Sequence, residues 1–249
     1  MSVLVSDLVA YCDEQLNSAA ISDYCPNGLQ VDATQYASVI VSAVTASERA
    51  IDRAIELEAD VLLVHHGYFW KGESPALTGM KGRRIAKLFR HNLSLLAYHL
   101  PLDLHPVVGN NAQLARLLGW EGYAASDDGL IWMTQFDDPV SAENIVSLLG
   151  EKLQRQPLHI EAQKPLLSRV AWCTGAAQSM LLEASRLGAQ MFISGEISEP
   201  TVHTAREMDV HYVAAGHHAT ERYGVKALGE HLSERFGLTH YFVDMDNPV

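Results

Sequence analysis

What this chain of 249 residues lacks narrows the field first. Its three cysteines, Cys12, Cys25 and Cys173, are odd in number and widely spaced, and no CxxC pair is present, which excludes a disulfide framework and a paired-thiolate zinc site. Basic residues are scarce: 18 Lys and Arg stand against 30 Asp and Glu, a formal charge of −12. General binding to a nucleic-acid backbone needs clusters of Lys and Arg, so that class is excluded too. No apolar run approaches the roughly 20 residues that span a bilayer. Residues 1–14 carry Asp7, Asp13 and Glu14 where a secretion signal has a basic start. Also absent are the glycine-rich nucleotide loops, the G-x-S-x-G elbow and the H-E-x-x-H helix, and with them the dehydrogenase, P-loop ATPase, serine hydrolase and zincin readings. A soluble protein of the reducing cytoplasm is the expectation.

What is there is an ordinary globular composition, 48% hydrophobic and 19% charged, in a chain long enough for a substantial core. Apolar spacing predicts a helix over residues 3–16 and a β-branched strand over 39–44. Ser47 is placed to cap a helix with Ala50, Ile51, Ala54, Ile55 and Leu57 on its apolar face. Residues 61–64 form the continuous apolar run of a buried parallel strand. A helix near 81–91, a strand at 93–98 and a helix at 112–118 follow. Asp23-Tyr24-Cys25-Pro26-Asn27-Gly28 reads as a turn. Residues 120–168 read as a connector holding a strand at 130–135, a helix at 141–153 and a short strand at 158–161.

The second half then repeats the first. An offset of 130 (170 − 40 and 193 − 63) lays residues 169–174 over the strand at 39 and 189–193 over 59–63. Strand–helix alternation of this kind gives right-handed crossovers and largely parallel strands. The expected fold is α/β: two related three-layer lobes, the first over 1–125, the second with its connector over 126–249, and a metal site in the cleft between them.

The chemistry-bearing residues sit where such sheets gather function, beyond the carboxyl ends of the strands. An offset of 118 (217 − 99 and 221 − 103) places His99 on His217 and Asp103 on Glu221, so each half carries a histidine followed four residues later by a carboxylate. One-turn spacing aims both groups at one point, and imidazole with carboxylate suits divalent first-row metals. Val64-His65-His66-Gly67 ends another apolar run. Consecutive strand residues point to opposite faces, so both histidines serve one site only if Gly67 begins a turn or each binds its own metal. The bland alternatives are polar strand ends for the histidines and helix or turn caps for Asp103 and Glu221. Coincidence of the two pairs at repeated positions favours Asp103, His217 and Glu221 as ligands, and those matching ligands elsewhere in the chain favour His65 and His66 with them. His99 and His218 suit supporting or proton-moving roles, and Glu196, standing where the first half has histidine, suits a general base. Tyr68, Phe69 and Trp70 suit either a ring-binding pocket or a core or subunit contact.

Taken together, residues 23–30, Val64-His65-His66-Gly67, His99 to Asp103, Gly109-Asn110-Asn111 and Gly216 to Glu221 resemble the YbgI-like dinuclear metal-centre family, whose members are called GTP cyclohydrolase 1 type 2 homologues. The resemblance covers nearly the whole chain. It implies two α/β lobes and a ring-shaped homohexamer built as a trimer of dimers. It also implies two divalent metal ions per subunit (Zn, Fe, Mn, Co or Ni), whose ligands fall on His65, His66, Asp103, His217 and Glu221. Five ligands are too many for one catalytic metal with an open position but suit two that share a carboxylate, Asp103 or Glu221, and such a pair suits metal-dependent hydrolysis of a nucleotide-like or cyclic amide substrate. A non-catalytic metal-storage or delivery protein, or a ring-shaped scaffold, is the alternative.

Overall fold

Two sheets organise the chain, each built on three parallel strands that follow one another in sequence. The computed structural model describes residues 2–249. In chain order the first elements are β1 (Val3–Leu4), α1 (Val5–Gln15), β2 (Gly28–Val31), β3 (Tyr36–Ala37), β4 (Val39–Thr45) and α2 (Glu48–Glu56). Then come β5 (Val61–His66), α3 (Gly79–Arg90), β6 (Ser94–Ala97), α4 (Leu100–Leu104), α5 (Asn110–Leu118), β7 (Tyr123–Ala124) and β8 (Trp132–Ser141). Next are α6 (Ala142–Leu153), β9 (Leu158–Ile160), β10 (Leu166–Trp172), α7 (Leu181–Arg186) and β11 (Met191–Ser194). The last are α8 (Glu199–Glu207), β12 (His211–Ala214), α9 (His217–Phe236) and β13 (Thr239–Phe242). Among the described residues, no helix is long and apolar enough to cross a membrane.

The first unit comprises Met1–Gly109 and Gly224–Asp246. Its sheet runs β13-β4-β5-β6-β2, parallel except for β2, which lies antiparallel on β6. Strand residues alternate between two faces, and both faces are apolar. Ile40, Val44, Val61, Leu63 and Leu96 pack against Val5, Leu8 and Cys12 of α1 and Val225, Leu228 and Leu232 of α9. Val41, Ala43, Leu62, Val64 and Leu95 pack against α2 and α3 through Ala50, Ile51, Ala54, Ile85 and Leu88. Helices on both faces make three layers. Ser47 caps α2 as its spacing predicts, its Oγ accepting from Ala50 N at 3.1 Å.

The second unit comprises Asn110–Tyr223 and Asn247–Val249. Its sheet runs β7-β8-β10-β11-β12-β9, with β10, β11 and β12 parallel and β9 antiparallel on β12. Val170, Trp172, Met191, Ile193 and Val213 face α5 and α6, whereas Ala171, Phe192 and Tyr212 face α7 and α8. The strand quartets β4-β5-β6-β2 and β10-β11-β12-β9 thus share order and sense. Ile40 pairs with Val61 and Val170 with Met191, so the offset of 130 (170 − 40 and 191 − 61) also carries the register across.

The division differs from a single break at 125/126. It falls at 109/110, 223/224 and 246/247; the second break follows from β13 pairing with β4 and the later turns of α9 filling the first core. β2 begins inside the segment whose Pro26-Asn27-Gly28 reads as a turn, and Gly28 enters it at φ +96°.

Candidate metal centre

In the first unit, β5 ends in His65 and His66, and His99 follows the adjacent parallel strand β6, so all three leave the same carboxyl edge. Their ring centroids lie 4.6 Å (His65–His66), 5.0 Å (His65–His99) and 5.7 Å (His66–His99) apart. One ligand atom from each lies within 4.8 Å of the others. The chain leaves the strand after His66 at Gly67, where an added Cβ would meet Gln30 Oε1 at 2.2 Å and Ala97 Cβ at 2.7 Å.

Hydrogen bonds orient each ring. The Nδ1 of fully buried His65 donates to the Tyr98 carbonyl at 2.9 Å, which assigns a proton to Nδ1 and turns Nε2 toward the site. That Nε2 lies 3.6 Å from Oδ2 of Asp103, itself only 7% exposed on α4. His66 Nδ1 lies 3.3 Å from Thr45 Oγ1. His99 Nδ1 lies 2.7 Å from Asp23 Oδ1. Asp23 also accepts from Asn27 Nδ2 and from the backbone N–H groups of Tyr24 and Leu100. Burial opposes ionisation of Asp23, but the hydrogen bonds from His99 and Asn27 outweigh it and hold the carboxyl down at about 2. Neighbouring Cys25 goes the other way: burial, then the Asp23 charge, push its thiol up to about 12.

The second unit brings together His217 and Glu221 on the first turns of α9 and Glu196 beyond β11. His217 Nδ1 lies 2.7 Å from Glu196 Oε1, and its Nε2 lies 3.1 Å from Oε2 of Glu221, which is 3% exposed. Burial alone would lower the His217 pKa, yet the Glu221 and Glu196 carboxylates raise it to about 9. Gly175, at φ +71°, lines this pair: a Cβ there would fall 2.1 Å from Glu221 Oε1. The glycine is pinned by its N–H to Thr220 Oγ1 (3.1 Å) and by its carbonyl, which accepts from Gly195 N and Ser194 Oγ.

Of the residues singled out by sequence, His65, His66, His99 and Asp103 share the edge of the first sheet, and His217, Glu221 and Glu196 share that of the second. His218 is buried, and its backbone N–H donates to the Val249 carbonyl at 3.0 Å. Within the Gly109-Asn110-Asn111 motif, Asn111 ties α5 to the end of β10: its Oδ1 accepts from Thr174 N, and its backbone carbonyl accepts from Trp172 Nε1. Sequence reading missed two contributors. Asp23 hides in a turn 76 residues from His99 (99 − 23), and Gly175 is a lone glycine with no motif around it. The quoted turn motif carried a signal for the first; nothing marked the second.

Comparison with known proteins gives a consistent picture. The family model described as Duf34/NIF3 (NGG1p interacting factor 3) matches residues 3–248. A Pseudomonas aeruginosa protein named GTP cyclohydrolase 1 type 2 homolog is 49% identical over 253 aligned positions, covering 100% of both chains. A Vibrio cholerae protein of the same name is 51% identical over 97% of this chain and 98% of its own. Among solved structures, protein ybgI, described as of unknown function, superposes with a TM-score of 0.96 at 46% identity, over 99% of this chain and 100% of that one. A Thermus thermophilus protein, TTHA1606, gives a TM-score of 0.91 at 33% identity, over 99% of this chain and 100% of that one.

Proposed function

The chain belongs to the Duf34/NIF3 family, and from that premise we propose that it binds two divalent metal ions and uses them to hydrolyse a small nucleotide-like or cyclic amide substrate. One observation carries the metal assignment. In each unit a histidine has its Nδ1 tied to an acceptor while its Nε2 faces a buried carboxylate: His65 with Asp103, and His217 with Glu221. An acceptor behind the far nitrogen is the support that metal-binding imidazoles use to fix tautomer and ring orientation. The donor set fits hard or borderline cations such as Zn, Fe, Mn, Co or Ni. The Cys25 thiol, held protonated, offers no thiolate to select a softer ion.

In this reading His65, His66, Asp103, His217 and Glu221 would hold the ions. When bound, two such ions would supply Lewis acidity and lower the pKa of water at the site. His99, backed by the ionised Asp23, is placed to take a proton, and Glu196 holds His217 in orientation. His218 is a further proton carrier in this proposal. The names of the relatives, all homologues of a GTP cyclohydrolase, favour a nitrogen-heterocyclic substrate. We also propose assembly into a homohexameric ring, a trimer of dimers, in the cytoplasm; light scattering should give six times the 27.4 kDa chain mass.

The direct test is metal analysis of purified protein beside His66→Ala and Glu221→Ala. Each variant should lose bound metal while keeping its far-ultraviolet circular dichroism. A full metal complement in both would refute the ligand assignment. Metal-replete protein that turns over neither GTP nor cyclic amides would sink the hydrolase reading while leaving the metal site standing.

A further inference from the structure

The aromatic residues after β5 divide into two kinds. Tyr68 is buried, with its hydroxyl donating to the Ala46 carbonyl, and it packs with Phe69 on the α2–α3 side of the first core. Trp70 belongs to no core cluster. It stands instead at the histidine edge, its ring 5.0 Å from His99 at an interplanar angle of 85° and 5.9 Å from His66. Tyr24 approaches His99 as well, at 6.4 Å and 61°, and it is 61% exposed. Two large rings thus approach one imidazole outside the core clusters, Tyr24 exposed and Trp70 half-buried.

Hydrogen bonds order the backbone that carries both rings. Lys71 N–H donates to the Tyr24 carbonyl at 2.6 Å, joining the two segments. The Glu73 carboxylate accepts from the N–H groups of Phe69 and Trp70 and pairs with Lys81 at 3.2 Å. Asp23 Oδ1 accepts from Tyr24 N at 2.6 Å and meets His99 Nδ1 at 2.7 Å, so one oxygen sets both the tyrosine and the imidazole. Leaving the Tyr24 ring in water has a hydrophobic cost, and an ordered backbone beneath both rings lowers the entropy lost when a ligand settles on them.

From this arrangement we infer that Trp70 and Tyr24 are a stacking site that selects ligands with a flat, conjugated ring and presents that ring to the His66–His99 edge. The inference deepens the proposed function and rests on it: it names the ligand class, planar nitrogen heterocycles over saturated rings, and the two side chains that choose. Stacking on an aromatic side chain strengthens binding by roughly 5- to 150-fold per base. The pair therefore discriminates through area and polarisability of the ring face, whatever polar groups the ring carries.

The test uses zinc-loaded full-length protein and two probes, guanosine and the saturated lactam 2-piperidone, with Trp70→Ala, Trp70→Phe and Tyr24→Ala. Guanosine should bind wild type and quench tryptophan fluorescence. Trp70→Ala should weaken it by on the order of 10-fold, Tyr24→Ala less, and Trp70→Phe least, with zinc content and 2-piperidone affinity unchanged. Equal guanosine affinity in Trp70→Ala and wild type overturns the inference, as does a zinc-loaded wild type that binds neither probe or prefers the lactam. Trp70→Ala that keeps its guanosine affinity but changes mass in solution makes the ring a subunit contact instead. Failure of wild type to retain zinc is a different result, which removes the metal centre itself.

Discussion

At the scale of single residues, His217 ties metal binding to protons most directly. Burial disfavours its charge, but Glu221 and Glu196 hold the proton to about pH 9, against 6.5 for the free side chain. The sign follows for the metal-free protein. The stability contributed by this charged cluster is fully present below pH 6.5 and is lost as pH rises through about 9. A metal ion at Nε2 must displace that proton. Zinc titrations at pH 7 should therefore show heats that change with the ionisation enthalpy of the buffer, and His217→Gln should release about one proton fewer. The same proton count in wild type and variant would remove His217 from the ligand set. Affinity should rise with pH until the imidazole is neutral.

At the scale of elements, α9 provides a case where propensity and packing disagree. Gly229 lies inside this 20-residue helix, where glycine ordinarily costs about 1 kcal/mol relative to alanine. Yet a Cβ at Gly229 would fall 2.2 Å from Nε2 of His240 on β13. That imidazole is held by Ser42 on β4, at 2.7 Å, and burial followed by the Lys226 charge lowers its pKa to about 4. Packing decides the sign. Gly229→Ala should destabilise the protein by about 1–3 kcal/mol in urea denaturation, and adding His240→Ala should recover part of the loss. A stabilising Gly229→Ala would show that the imidazole yields.

The same contrast explains what could be read before the fold was known. Periodicity reveals β4, β5, β10, β11 and their helices, because both faces of each parallel sheet are buried and the helices must match them. Residues that cluster at strand ends are legible for the same reason, since parallel order brings those ends together. β2 was hidden by turn residues at its start and by having only four positions. The Asp23–His99 pair and the Gly175 cradle depend on approaches between distant segments, which spacing along the chain does not encode.

At the scale of the whole molecule, the division of the chain matters more than the number of units. A fragment ending at residue 125 holds β4, β5 and β6 but lacks β13 and the α9 side chains Val225, Leu228 and Leu232. It leaves one edge of its sheet unpaired and one core face without half its cover. Such a fragment should lack the cooperative thermal transition of the intact chain; a sharp transition in differential scanning calorimetry would show that residues 224–246 are dispensable to the first unit. The two sheets share strand order and register, and the final strand returns to the first of them. That return sets an order on synthesis. As the polypeptide leaves the ribosome, the β4 edge waits through more than half the chain for its neighbour, while the second sheet already has all its strands. The half made first is finished last, and a nascent-chain chaperone has the longest claim on it.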